Sequence, residues 1–205
     1  MSSPSVGSWS LLKRLGRYLL GAPRVSLQFD YQGKYRHVDV WTDSDWAGDR
    51  LQRKSTSGGV VRLGNHSVKM WSSTQKSIAL SSGEAEFYAL VKGGSIGMGI
   101  SSMLSDLGIR VDSRMHISTD STAAKGICNR RGLGKVRHID VNQLWIQERV
   151  QQGDIVIKKV SGLENISDAL TKHVEVMNMQ KHLSDTGQHL LSGRHTLMPN
   201  VTSHQ

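Results

Sequence analysis

Residues 38–72 read VDVWTDSDWAGDRLQRKSTSGGVVRLGNHSVKMWS, and the period of this stretch decides the fold class. Val38, Val40 and Thr42 alternate with Asp39, Trp41 and Asp43, the two-residue period of a strand. Ser57–Leu63 (SGGVVRL) predicts a second strand and Ser67–Ser72 (SVKMWS) a third, with Gly64-Asn65 turning the chain between them. A hairpin or meander follows from this spacing.

Downstream the period changes to that of helices. Ser82 stands ahead of Glu84 and Glu86, an N-cap followed by acids in a first helical turn. Phe87, Val91 and Met98 share a face, and Ile100, Met103, Leu104 and Leu107 continue the apolar run to Gly108. Gly93, Gly94, Gly97 and Gly99 weaken the middle of this helix by up to ~1 kcal/mol each relative to Ala. Met115–Thr119 is a fourth strand, leading into Asp120 and a short helix through Ile127. Ile139, Ile146 and Val150 mark another helix, closed by Gly153. Ile155 and Ile157 open a fifth strand, and Ile166 and Leu170 a final short helix. The order is β-β-β-α-β-α-α-β-α. Upstream, Trp9, Leu11, Leu12, Leu15, Tyr18 and Leu19 predict a helix ended by Gly21-Ala22-Pro23. Beyond His173, Val176, Met179 and Leu183 suit one amphipathic turn set, and 192–205 reads as disordered.

The whole chain has 205 residues, room for one domain with extensions. Its 26 Lys and Arg against 17 Asp and Glu give a net charge of +9, which favours a polyanionic partner, nucleic acid foremost. No apolar run approaches the roughly 18 residues of a membrane span, and Met1 opens a polar stretch unlike a signal peptide. A lone cysteine, Cys128, excludes internal disulfides and Cys-built zinc or iron–sulfur sites. These features predict a soluble, intracellular protein.

Four acids stand at element ends: Asp43 in TDSDWAGD, Glu84 in SSGEAEFYAL, Asp120 in STDSTA and Asp168 in ENISDALTK. In an α/β sheet, strand ends and helix starts gather at one edge, so these side chains can converge. Carboxylates so gathered repel one another unless cations neutralise them, and hard divalent ions with oxygen ligands do that. Each acid also has an ordinary reading as a turn former, cap or helix-dipole partner. Trp41, Trp46, Trp71 and Trp145 fit core or core-edge positions better than stacking platforms. Of the nine His, His173, His182, His189, His195 and His204 are scattered through the tail without paired ligand spacing and read as surface residues; His138, in VRHID, is placed to touch nucleic acid or the acidic site without a catalytic role.

The words around the acids resemble a known family. TDSDWAGDRLQRKSTSGGVV, MWSSTQKSIALSSGEAEFYAL, STDSTAA and VRHIDVNQLWIQERVQQGDIVIKKVSGLENISDALTK resemble the ribonuclease H domain of copia-type LTR retrotransposon Pol polyproteins, over about residues 36–173. WSLLKRLGRYLLG is similar to the end of the reverse transcriptase that precedes that domain. The resemblance implies a remnant of the reverse transcriptase and linker over 1–35 and a ribonuclease H domain over 36–173; the Met-, His- and Ser-rich stretch 174–205 reads as a flexible tail. The chain then reads as the C-terminal piece of a Pol polyprotein or a degenerate genomic copy, cytoplasmic or within virus-like particles if the element is active.

The implied fold is α/β and ribonuclease H-like: a five-stranded mixed sheet flanked by helices, its first three strands antiparallel. The implied activity is metal-dependent endonucleolytic hydrolysis of the RNA strand of RNA–DNA hybrids. Two Mg2+ ions, replaceable by Mn2+, would be held by Asp43, Glu84, Asp120 and Asp168, with Asp43 bridging both. Asp45 is the reserve for Asp43. Glu86 competes with Glu84, but two helical residues rotate it about 200° away, and Glu84 is preferred. RNA would be read through 2′-hydroxyls near Ser44, Ser82 or Ser121. The DNA strand would lie on Lys125, Arg130, Arg131, Lys135 and Arg137, whose other reading is a solvated loop. Partners would be the RNA–DNA hybrid and the remaining polyprotein, reverse transcriptase and integrase, with no membrane.

Three departures accompany the resemblance. Many ribonucleases H carry a mobile His after the fifth strand, and Ser161–Asn165 has none. The four helix glycines replace larger residues, and no reverse transcriptase or integrase site accompanies the domain. The alternatives are a catalytically inactive, transposon-derived nucleic-acid-binding remnant and another nuclease of the same superfold.

Overall fold

Alternation in the sequence becomes layered packing in the computed structural model, which describes residues 4–34, 37–111, 114–134 and 138–193. The chain divides into a larger unit, Asp30–Thr186, and a smaller one formed by the segments up to Phe29 and from Gly187. In the smaller unit, α1 (Val6–Gly21) starts at Ser5, whose side chain accepts from Ser8 N in a reciprocal capping box. Strand β1 (Arg24–Leu27) follows.

The larger unit opens with β2 (Val38–Ser44), β3 (Thr56–Leu63) and β4 (His66–Thr74), an antiparallel meander. Gly64 turns the β3–β4 hairpin at φ +60°, a conformation costly for side chains with a Cβ. Helix α2 (Ser82–Asp106), β5 (Met115–Thr119), α3 (Thr122–Asn129), α4 (Trp145–Gln152) and β6 (Ile155–Lys159) complete the layers. The sheet order is β4-β3-β2-β5-β6, with β5 parallel to β2 and β6 parallel to β5. This is the five-stranded mixed sheet that the resemblance implied. Among the described residues, no helix is long and apolar enough to cross a membrane.

The core lies between the sheet and its helices. Val38, Val40, Val61, Ile117, Ile155 and Ile157 meet Phe87, Leu90, Ile127 and Ile146, all buried. Each such side chain contributes about 1.5–3 kcal/mol of transfer free energy. Two of the helix glycines, Gly93 and Gly97, have a packing role there. A Cβ on Gly93 would collide with Thr42, and one on Gly97 would sit 2.8 Å from Val40 Cγ2 and strike Met115. Their absent side chains let α2 lie directly on β2.

Two expectations differ from the structure. The final short helix around Ile166 and Leu170 is a single 3-10 turn, Asp168–Leu170, and Asn165 just before it bonds to β2. Ile139 precedes α4 and is separated from it by a 3-10 turn, Val141–Gln143. α5 (Val176–Asp185) covers the amphipathic set expected beyond His173. Two strands were not foreseen: β1 and β7 (Gln188–Leu191), which pair antiparallel in the smaller unit.

Candidate active site

Strand direction creates the site. β2 and β5 are adjacent and parallel, with Val40 opposite Ile117, so Asp43 and Asp120 emerge at the same carboxyl edge. α2 begins at this edge, capped by Ser81, one residue earlier than the sequence suggested, which accepts from Glu84 N. Asp43, Glu86 and Asp120 each present a carboxylate oxygen within 4.8 Å of the others.

Glu86, not Glu84, is therefore the helix acid that reaches Asp43 and Asp120. Its Oε1 accepts from Ser44 N at 3.2 Å. Glu84 points elsewhere and is 1% exposed. Its Oε1 accepts from Tyr88 OH at 2.7 Å, and its Oε2 from Leu80 N at 2.9 Å and lies 2.7 Å from His138 Nε2. The 200° separation was right, but it does not say which face meets the sheet. The glycines do say so. Glu86, Gly93 and Gly97 stand at i, i+7 and i+11, one stripe of the helix, and that stripe rests on β2. Glu84 shares its stripe with Tyr88 and Val91.

Asp168 reaches the same edge by a different device. Asn165, fully buried, donates from Nδ2 to Thr42 O at 3.0 Å and accepts from Ser167 Oγ at 2.6 Å. Thr171 Oγ1 donates to Asp43 Oδ2, and Lys172 Nζ pairs with Asp168 Oδ1 while lying 3.5 Å from Asp43 Oδ1. Asn165, Thr171 and Lys172 were missed; the i, i+4 Asp168–Lys172 spacing was the available signal. Asp45 belongs to the turn, its Oδ1 accepting from Thr56 N. Asp120 faces Gly162, where a Cβ would lie 3.2 Å from Oδ2.

The carboxylates are electrostatically frustrated. Burial raises Asp43 from 3.8 to about 6, against the Thr171 hydrogen bond and the Lys172 charge, with Asp168 and Asp120 adding to the rise. Burial, then the charges of Asp43 and Asp120, raise Glu86 from 4.5 to about 8. Burial also acts upward on Glu84, but its bonds from His138, Tyr88 and Leu80 N outweigh that and lower its pKa. Asp43 Oδ1 and Glu86 Oε2 are buried without a hydrogen-bond partner. Clustered hard oxygens with unspent lone pairs suit a divalent cation such as magnesium or manganese.

The basic residues are placed as follows. Lys125 is half-buried on α3, Arg130 donates to Leu133 O, and Arg131 Nε donates to Gln151 Oε1 at 2.9 Å. Lys135 and Arg137 lie outside the described residues. Ser121 caps α3 by accepting from Ala124 N, Ser44 is buried and Ser82 exposed. Trp46 departs from expectation: it is 53% exposed, its indole N–H donating to Ala79 O.

No protein-family model matches the chain. The retrovirus-related Pol polyprotein from transposon RE1 of Arabidopsis thaliana is 32% identical over 188 residues, 91% of this chain and 13% of the polyprotein. That from transposon RE2 of the same plant is 34% identical over 173 residues, 84% of this chain and 12% of the polyprotein. The chain is homologous to one segment of these transposon Pol polyproteins. It spans about an eighth of the length of such a Pol polyprotein, and the homologous stretch takes in all four acid-bearing words. Among solved structures, an N-terminal RNase H domain from Mycobacterium tuberculosis superposes with a TM-score of 0.45 at 18% identity, covering 73% of this chain and 97% of that one.

Proposed function

We propose that this Pol-like chain is a metal-dependent ribonuclease H module that hydrolyses the RNA strand of RNA–DNA hybrids during retrotransposon reverse transcription. The observation that carries the reading is the Asp43–Glu86–Asp120 cluster, Asp43 and Glu86 buried, at the carboxyl edge of two parallel strands, with Glu86 Oε2 unpartnered and Asp43 Oδ1 met only by the Lys172 charge at 3.5 Å. Homology to transposon Pol polyproteins supports the biological setting.

Asp43, Glu86, Asp120 and Asp168 would hold the divalent ions; Glu86 replaces Glu84 in this role. When bound, the ions would supply an activated water and stabilise charge on the phosphate and leaving oxygen. Ser44 N fixes one Glu86 oxygen and leaves the other free. Thr171 orients Asp43, and Asn165 anchors the segment carrying Asp168 to the backbone of Thr42. Glu84 ties the start of α2 to His138, so it positions the helix on which Glu86 rides. Hybrid recognition would rest on phosphate contacts by Lys125, Arg130, Arg131, Lys135 and Arg137 together with 2′-hydroxyl contacts at the site edge.

The test is cleavage of a labelled RNA strand in an RNA–DNA hybrid, an RNA duplex and a DNA duplex, with magnesium, manganese or chelator. Magnesium-dependent cutting restricted to the hybrid supports the proposal. Binding of the hybrid without cutting under every ion would instead identify an inactive nucleic-acid-binding remnant.

A further inference from the structure

A second constellation of ligand-type side chains lies at the other end of β2. Asp39 and His116 are register partners across the parallel β2–β5 pair, so their side chains leave the same sheet face. His37 sits in the bend just before β2, its ring beside that of His116 with centroids 3.9 Å apart. His37 Nε2 lies 3.6 Å from Asp39 Oδ2, and His116 Nδ1 lies 3.4 Å from Asp39 Oδ1. The three residues offer ligand atoms that all fall within 4.8 Å of one another. A zinc ion bound at about 2.0–2.1 Å in tetrahedral directions sets its ligand atoms about 3.3 Å apart. The separations of 3.6 and 3.4 Å are close to that edge.

A hydrogen bond supports the same reading. Lys158 Nζ lies 2.8 Å from His116 Nδ1. An ammonium has only protons to give, so Nδ1 is the lone-pair nitrogen of that ring. That lone pair stands 3.4 Å from an Asp39 oxygen, two acceptors that a cation can share. Lys158 supplies one from the side, on an exposed and flexible stem.

We propose that His37, Asp39 and His116 form a binding site for a zinc-class transition metal, with two imidazoles, one carboxylate and a fourth position open to water. Four residues of extended strand separate Asp39 from Asp43, about 13 Å, so the site is distinct from the acid cluster. Ligand chemistry separates them too: imidazole favours zinc, copper or nickel, whereas an all-carboxylate site favours magnesium or manganese. A bound ion would clip β2 to β5 at the end remote from the acids.

The experiment titrates the full chain with Zn2+ and Co2+ in millimolar magnesium, following the visible absorption of four-coordinate cobalt and the melting temperature. One cobalt ion should bind with a tetrahedral spectrum, displaced by zinc, and zinc should raise the melting temperature. His37→Ala and His116→Gln should each weaken uptake by about tenfold or more, since each removes one of only three protein ligands. Asp43→Asn with Asp120→Asn should leave the spectrum intact. Lys158→Ala should tighten binding by removing the competing ammonium. A spectrum that survives in the His37→Ala, His116→Gln double variant overturns the proposal, as does weaker binding in Lys158→Ala. Failure of the folded wild-type chain to take up cobalt at sub-millimolar concentration also overturns it.

Discussion

Glu84 and Glu86 lie two residues apart on one helix, yet their carboxylates belong to different networks. Glu84 is saturated by Tyr88, Leu80 N and His138, and its pKa is lowered. Glu86 faces Asp43 and Asp120 with one oxygen unpartnered, and its pKa rises to about 8. The first arrangement stabilises a helix start; the second stores repulsion that a cation relieves.

Burial, with that repulsion added, makes stability pH-dependent. Asp43 and Glu86 have folded-state pKa values of about 6 and about 8, above their ordinary 3.8 and 4.5. Folding therefore favours their protonated forms: their contribution is full below about pH 4 and is lost as pH rises through about 6 and then about 8. Glu84 acts in the opposite sense, its contribution present above its ordinary pKa and lost on acidification below it. In chelator, the melting temperature should fall as pH is raised from about 5 to 8, and manganese should restore it most at the high end. Glu86→Gln should flatten the fall in a thermal scan. An unchanged slope in that variant would contradict the assignment.

Lys172 spans Asp43 and Asp168 as a monovalent cation. Burial opposes its charge, but the Asp168 hydrogen bond and the two carboxylates more than offset that and raise its pKa. A divalent ion entering there must displace it. Lys172→Ala should raise manganese affinity in calorimetry by about threefold or more, since a competing positive charge is removed. Weaker uptake would show that Lys172 organises the carboxylates instead.

Asn165 carries the anchoring of the Asp168 segment. Asn165→Ala leaves Thr42 O without its donor in a buried site and should cost about 1–3 kcal/mol in denaturant unfolding. Stability equal to the wild type would show the bond to be dispensable.

Arg130 and Arg131 should separate in salt titrations of hybrid binding. Arg131 is exposed, whereas Arg130 donates to Leu133 O within its own loop. Arg131→Ala should reduce the slope of log affinity against log salt by about 1. An unaltered slope would mark a solvated surface.

The sheet was legible because its strands run to five or more residues, β2 opens on alternating apolar and polar positions, and Gly64-Asn65 marks a hairpin. The β1–β7 ribbon was not, since four-residue strands such as RVSL and QHLL carry too little pattern. The acids at Asp43, Asp120 and Asp168 were readable as element ends. The choice between Glu84 and Glu86 depends on how α2 is rotated on the sheet, which a helical period alone does not fix. The stripe of Gly93 and Gly97 contained that information, but the glycines were read for propensity rather than for close approach. The Asn165, Thr171 and Lys172 contacts join segments more than a hundred residues from β2, beyond any local pattern.

The most direct test compares single-turnover cleavage of an RNA–DNA hybrid by the wild type, Glu86→Gln and Glu84→Gln in magnesium. With Glu86 beside Asp43 and Asp120, Glu86→Gln should lose about a hundredfold or more, because it removes an ion-holding charge. Glu84→Gln should stay within about tenfold, since it disturbs only the helix start. Cleavage retained in Glu86→Gln and abolished in folded Glu84→Gln would contradict the account.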